Sequence, residues 1–465
     1  MRRLTVALTL LAVVSTGTLS GARAVSAGAG PAAGELRRGT NILVVGIDSR
    51  AGLSAAEKRR LHVGGKGCNC TDVMMLVHLS QDRRRASVVS IPRDSYVEYA
   101  PLPPSSSPPS SPAPSPDDPG APAAARKGKI NGAYALGGGP LTVKTVEKAT
   151  GLRVDHYLET DFAGFEKTVD NLGGATVCTD RPLKDENSGL DIAAGVHHTN
   201  GNQTLRYVRA RHVNLRPGDL GRVRRQQRTV NDLLARLTGD GALSSAPRAA
   251  ATARTLLKTV RTDPHTGLSD LIGLGLALGR LRADRTEFAT VPIRLFDHRV
   301  PGVGSTLVWD EPRSAALWDA LRADRPITGD PGIQPVAQNP APTDPARIPV
   351  GVDDPAVADA LRANGFAVTD TSAAAPAVRP AGGPVIRYPA GREEDADTLA
   401  AALPGARLAA LPAGSASFTV SVGAEPVRVR AVTYDRNIAD GAPVTSDTLR
   451  CPDLPPRALA GPQQR

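Results

Sequence analysis

Apolar residues first gather in three short runs, Asn41 to Ile47, Val73 to Leu79 and Ala86 to Ile91, each of strand length and flanked by polar residues or glycine. The polar connection Ser80 to Arg85 is of hairpin length, so the simplest topology is an up-down-up meander. Further on, Pro140 to Thr150 predicts a helix opened by proline, closed by Gly151 and preceded by Gly137, Gly138 and Gly139. Residues 205 to 212 alternate as a strand does. From Leu220 the apolar stripe Leu220, Val223, Val230, Leu234 and Leu237, with Gln227 inside it, recurs at helical spacing. A mixed region reaches about Pro326. Residues 347 to 423 then repeat strand and helix patterns: helices around Pro355 to Asn364 and Glu394 to Leu403, strands at Val385 to Tyr388 and Phe418 to Val422. That predicts a small second α/β module.

Two stretches break the pattern. Pro101 to Ala125 is almost all Pro, Ser, Ala and Asp, too poor in apolar surface to fold, and reads as an inserted loop. Gly329 to Pro345, within a connection spanning residues 326 to 346, reads as a linker. The expected organisation is therefore a main domain over 40 to 325, the linker, a module over 347 to 423, and a tail from 424 to 465 with no clear pattern of its own. At the N-terminus, Arg2 and Arg3 precede an apolar run to Leu19 and small residues ending at Ala24, which predicts export. The run suits a cleaved signal and a membrane anchor equally, and either places the rest of the chain outside the cytoplasm.

Composition changes this picture little. The formal charge of +10 favours anionic partners, but 3% aromatic residues leave few platforms for stacking bases, and no nucleic-acid-binding motif is present. The eight histidines and four cysteines lack zinc-site spacing. In an oxidising compartment Cys68, Cys70, Cys178 and Cys451 should pair. A Cys68 to Cys70 ring would be tight, which favours bonds from that segment to Cys178 or Cys451, with buried free thiols as the alternative.

The meander brings candidate chemistry to one rim, because Asp48 follows the first strand, Asp72 precedes the second, and Pro92-Arg93-Asp94 follows the third. Each charge alone reads more readily as a solvated loop residue. Together, two carboxylates suit Mg²⁺, which shares its shell with water and phosphate, and Arg93 can fork onto phosphoryl oxygens. Strand alternation would set Arg209 and Arg211 on one face. Helical spacing sets Asp219, Arg222, Arg225 and Gln226 on the polar side of the next element, and Lys129 adds a further donor.

In order, the segments Asn41 to Arg50 (NILVVGIDSR), Thr71 to Met75 (TDVMM), Ser90 to Asp94 (SIPRD), Lys129 to Tyr134 (KINGAY) and Gly218 to Arg222 with Arg225-Gln226-Gln227 resemble the LytR-CpsA-Psr family. The resemblance covers roughly residues 40 to 325, and 347 to 423 look like the LytR C-terminal domain without its usual Asn-Gly-Thr-Gly turn. It implies a three-layer α/β/α domain with a central mixed sheet, an apolar groove for a polyprenyl tail and a cationic mouth for pyrophosphate, beside a small C-terminal α/β domain. By motif, Asp48 and Asp72 resemble the family's Mg²⁺ ligands, and Arg93 its phosphoryl-transfer residue. Lys129, Arg209, Arg211, Asp219, Arg222 and Gln226 resemble its pyrophosphate network. Cys70 stands where many members carry an arginine, so Arg50 or Lys66 would have to substitute. The implied function is Mg²⁺-dependent transfer of a glycopolymer from a polyprenyl pyrophosphate carrier to peptidoglycan at the membrane surface, with Asp219, or as second choice Asp94, taking the acceptor proton. A non-catalytic binder of lipid-linked glycan and a polyprenyl pyrophosphatase are the alternatives.

Overall fold

The computed structural model describes residues 39–451, apart from 51–52, 65–66, 102–125, 180–181, 212, 214–219, 239–246, 248–249, 251, 255–256, 282, 335–336, 338, 370–381, 413–416, 424–425 and 438–440. The N-terminal export segment, most of the Pro101 to Ala125 stretch, Lys66 and Asp219 therefore lie outside the described residues.

The three apolar runs form β1 (Thr40–Ile47), β2 (Thr71–Leu79) and β3 (Ala86–Ser90), paired antiparallel as a meander with Val44 opposite Met75 and Leu76 opposite Val89. They are the centre of a seven-stranded mixed sheet. His156–Thr160 adds parallel to β1 and Thr286–Thr290 parallel to β3, while Arg261–Thr262 and Val444–Thr445 close the two edges antiparallel. Alternation along β2 sorts its side chains between two layers. Met74 and Leu76 enter a core with Val146, Leu317, Trp318 and Leu321, from the helices Gly132–Thr150 and Glu311–Arg322. Met75 and Val77 face the other way, toward Val230 and Leu234 of the helix Leu220–Leu237. The result is a sheet with helices on both faces.

The helix Gly132–Thr150 kinks at Gly137 and Gly138, so its second part opens near Pro140, and it ends at Gly151 in the left-handed conformation that glycine adopts without strain. Residues 347 to 423 build a separate five-stranded sheet, in the order Ala367–Val368, Pro349–Val352, Phe418–Ser421, Val385–Pro389, Arg407–Leu411. It has its own core around Ile386, Leu399 and Phe418. The tail returns from this module to the main sheet.

Three expectations change. Residues 205–209 of the segment read as a strand from 205 to 212 are the end of a helix, Gly201–Arg209. Over so few residues, alternation and helical spacing cannot be told apart. The deciding signal lies upstream, where Asn200 accepts from the Gln203 backbone N–H and the Gln203 side chain returns the bond, a capping box that commits the chain to helix. Replacing Asn200 with alanine should cost about 1 kcal/mol of stability, read as a lower urea midpoint. The cysteine pairing also differs, since Cys68 bonds to Cys70 and Cys178 to Cys451. The tight ring closes because Asn69 sits at φ 47°, turning the chain back so that the flanking Cα atoms are 5.1 Å apart. The tail, patternless in sequence, pairs through Val444–Thr445 with Thr286–Thr290 and so carries Cys451 to Cys178.

Candidate active site at the rim of the sheet

All three loop ends of the meander reach one rim. The Asp48 backbone N–H donates to the Cys70 carbonyl at 3.0 Å, tying the exit of β1 to the entrance of β2. Asp48 is buried, and Arg50 forks onto it with Nε and Nη2 at 2.7 Å each. That bond raises the Arg50 pKa further above its ordinary value. Asp72 receives Arg93 Nη1 at 2.5 Å, with Arg211 Nη2 at 3.9 Å. Arg93 Nε lies 3.4 Å from Asp94, which also binds Lys129 Nζ at 2.8 Å.

Lys129 is placed by strand pairing, Tyr96–Glu98 against Lys127–Lys129, and the Asn131 N–H donates to the Arg93 carbonyl at 3.2 Å. Arg209, at the end of its helix, lies over the Phe162 ring at 4.7 Å and donates to the Leu61 carbonyl at 2.7 Å. Burial lowers its pKa, while the charges of Asp48 and Asp72 oppose that shift.

These groups line one cavity of about 510 Å³. Its charged part holds Asp48, Arg50, Asp72, Arg93, Arg209, Arg211, Arg222 and Gln226. An apolar stretch includes Val44, Val73, Met75, Phe162, Phe165 and Val230, and Asp161, Asp185, Asn187 and Ser188 add further polar lining. Val73 and Met75 point here because their neighbours Met74 and Leu76 point into the core. Lys129 instead faces a second, adjoining cavity of about 560 Å³ that shares Asp72, Arg93, Arg222 and Gln226 with the first.

Arg225 departs from its expected place. Its Nε and Nη2 donate to the carbonyls of Tyr207 and Ala210, joining two helices, and it is not among the residues lining either cavity. Helical spacing put it on the polar side but could not say that a neighbouring helix end covers that part of the face. Gln226, one residue on, donates to the Val208 carbonyl at 3.2 Å and still reaches both cavities. Sequence reasoning passed over Phe162, Phe165 and Phe296. In a chain with six phenylalanines, three at one site are a usable signal.

Asp48 and Asp72 are a fitting donor set for Mg²⁺, which binds through one or two carboxylates and completes its shell with water and phosphate. Among the described residues no group of three or more His, Cys, Asp or Glu gathers into a metal cage. Nor is any described helix long and apolar enough to cross a membrane.

A family model described as the LytR_cpsA_psr family matches residues 16–323, and one described as LytR cell envelope-related transcriptional attenuator matches residues 355–425. The chain is 36% identical over 298 residues to a Corynebacterium glutamicum protein named probable cell wall biosynthesis protein LcpB, a match covering 61% of each chain. It is 28% identical over 289 residues to cell wall biosynthesis protein LcpA of the same organism, covering 56% of this chain and 51% of that one. These matches thus span between half and two thirds of the relatives' length. Among solved structures, the crystal structure of B. subtilis TagV aligns with a TM-score of 0.47 at 24% identity, over 62% of this chain and 97% of that chain. With the first family model matched over more than half of its length, and the aspartate and arginine motifs gathered on one cavity, the chain belongs to the LytR-CpsA-Psr family.

Proposed function

We propose that this protein is a phosphotransferase of cell wall biosynthesis, which moves a glycopolymer from a polyprenyl pyrophosphate carrier onto peptidoglycan outside the cytoplasm. One observation carries the reading: a single cavity joins an apolar stretch to a wall of arginines and aspartates, Asp48 and Asp72 among them. A ligand matching both parts has a long apolar chain ending in a multiply charged anion, as a polyprenyl pyrophosphate does. Burying the chain supplies affinity in proportion to area, roughly 25 cal/mol per Å², and the arginines bind the anionic head. The names of the two corynebacterial relatives support the cell-wall assignment.

Asp48 and Asp72 would hold Mg²⁺, which when bound supplies charge neutralisation at the pyrophosphate. Arg50 and Arg209 hold the anion from the groove side, and Arg93 stands where charge develops on the transferred phosphoryl group. Phosphoryl transfer needs little else, since its catalysis is chiefly positioning and electrostatic stabilisation. Asp94 lies beside Arg93 and can take the acceptor proton. Asp219, the first-choice base from sequence, lies outside the described residues.

The test is release of polyprenyl phosphate from a synthetic lipid-linked disaccharide. Release should require Mg²⁺, stop with EDTA, and fall by on the order of 10²-fold in Asp72→Asn. A protein that binds the lipid tightly yet releases nothing under any metal condition is a binder, and the proposal is then wrong.

A further inference from the structure

The cavity beyond Arg93 differs from the groove in its lining. It shares Asp72, Arg93, Arg222 and Gln226 with the groove, but adds Asp94, Lys129, Phe296, Asp297, Ser305 and Arg436. Asp48, Arg50, Arg209 and Arg211 face the groove alone. The charged groups therefore sort into a groove side, a far side, and a shared wall whose central residue is Arg93.

The far side is built by two segments remote in sequence. The hairpin Ile293–Val300 with Gly304–Trp309 is pinned to the Arg93 loop: the Leu307 N–H donates to the Asp94 carbonyl at 2.9 Å, and Trp309 Nε1 to Ser95 Oγ at 2.9 Å. The tail beyond the C-terminal module is clamped to that hairpin. Asn437 exchanges two hydrogen bonds with the Ile293 backbone, at 2.7 and 2.9 Å, and Asp435 binds Arg313 at 2.6 Å. Between those anchors Arg436 lies 4.2 Å over the Phe296 ring. Ser305 donates to Asp297 at 2.5 Å beside them. One aromatic ring, a hydroxyl, carboxylates and cations together suit a polyhydroxylated ligand, which needs a flat apolar surface and donors and acceptors of both kinds.

We propose that this second cavity is the acceptor chamber, where the sugar hydroxyl that receives the glycopolymer is held. This deepens the phosphotransferase reading and rests on it. Attacking and leaving oxygens lie roughly in line on opposite sides of the phosphorus. The leaving polyprenyl phosphate occupies the apolar groove, so the attacker enters from across Arg93. In the step, the acceptor oxygen bonds to the glycan-bearing phosphorus. The bond from that phosphorus to the bridging oxygen breaks, and its electron pair leaves with polyprenyl phosphate. The hydroxyl proton passes to Asp94, the carboxylate at the reacting centre that faces this chamber and not the groove. The C-terminal tail, through Arg436, is thereby part of acceptor recognition.

The test uses the full chain, a synthetic polyprenyl pyrophosphate-linked disaccharide as donor and un-cross-linked peptidoglycan strands as acceptor. Phe296→Ala and Arg436→Gln empty the far wall, and Ser305→Trp, at an exposed hairpin position, fills the chamber from outside. Each should lower transfer at sub-saturating acceptor by about tenfold or more, while donor binding and polyprenyl phosphate release to water stay within about twofold of the parent. Unchanged transfer in all three overturns the assignment. So does a parallel loss of donor binding, which would make the chamber the seat of the donor glycan. Absence of any release by the parent protein overturns the phosphotransferase reading itself, and the acceptor chamber with it.

Discussion

Arg93→Ala is expected to lower phosphoryl transfer by on the order of 10² to 10³, the loss typical when one donor aimed at developing charge is removed. Affinity for the lipid-linked donor should change far less. The asymmetry follows from position, since Arg93 lies at the junction of the two cavities and binds both Asp72 and Asp94. Arg50, Arg209 and Arg211 still line the groove, and its apolar stretch is unchanged. Arg93→Lys should recover only part of the rate, because a lysine ammonium is a point charge without the planar fork. The measurement is single-turnover release beside direct lipid binding, with the unfolding midpoint as a control for the lost Asp72 and Asp94 contacts. Equal losses in binding and turnover would make Arg93 a ground-state ligand.

Removing the Cys178 to Cys451 bond, by Cys178→Ser with Cys451→Ser, should cost roughly 2–5 kcal/mol of folding stability. The bond spans 273 residues, and the loop-entropy account assigns long loops the larger effect. It also secures the end of the tail, which beyond the clamp at Asp435 and Asn437 is held by a two-residue strand at the sheet edge, by Ser446 bonded to Asn231, and by Leu449 packed among Met75, Val88 and Phe288. The Cys68 to Cys70 bond closes a separation of only 2 residues, so its loss should move the urea midpoint much less. An unchanged midpoint in the Cys178/Cys451 double variant would mean that the tail's noncovalent contacts hold it without the bond.

What could be read from sequence were features carried by long local signals. The meander was legible because three apolar runs of strand length were separated by polar connections, and it brought Asp48, Asp72 and Arg93 to one rim without any knowledge of packing. The helix Leu220–Leu237 and the C-terminal module were legible from periodicity in the same way. The misses arose where a local signal was short or absent. The helix Gly201–Arg209 hinged on the capping box at Asn200 and not on the brief alternation that followed it. The cysteine pairing hinged on Asn69 turning backwards and on the route of a tail with no pattern of its own. Arg225 and Gln226 are neighbours on one helix, yet the first is consumed by carbonyls of another helix end and the second reaches the cavities. That difference belongs to tertiary packing. The second cavity was invisible for the same reason, as Phe296 and Arg436 come together only through the clamp at Asp435 and Asn437.

If the joined apolar and cationic cavity transfers a glycan-bearing phosphoryl group, peptidoglycan strands incubated with the lipid-linked disaccharide and Mg²⁺ gain a definite mass. Mass spectrometry should find strands heavier by one disaccharide phosphate, in equal number to the polyprenyl phosphate released. Strands of unchanged mass, with disaccharide phosphate free in solution, would identify a pyrophosphatase and contradict that transfer.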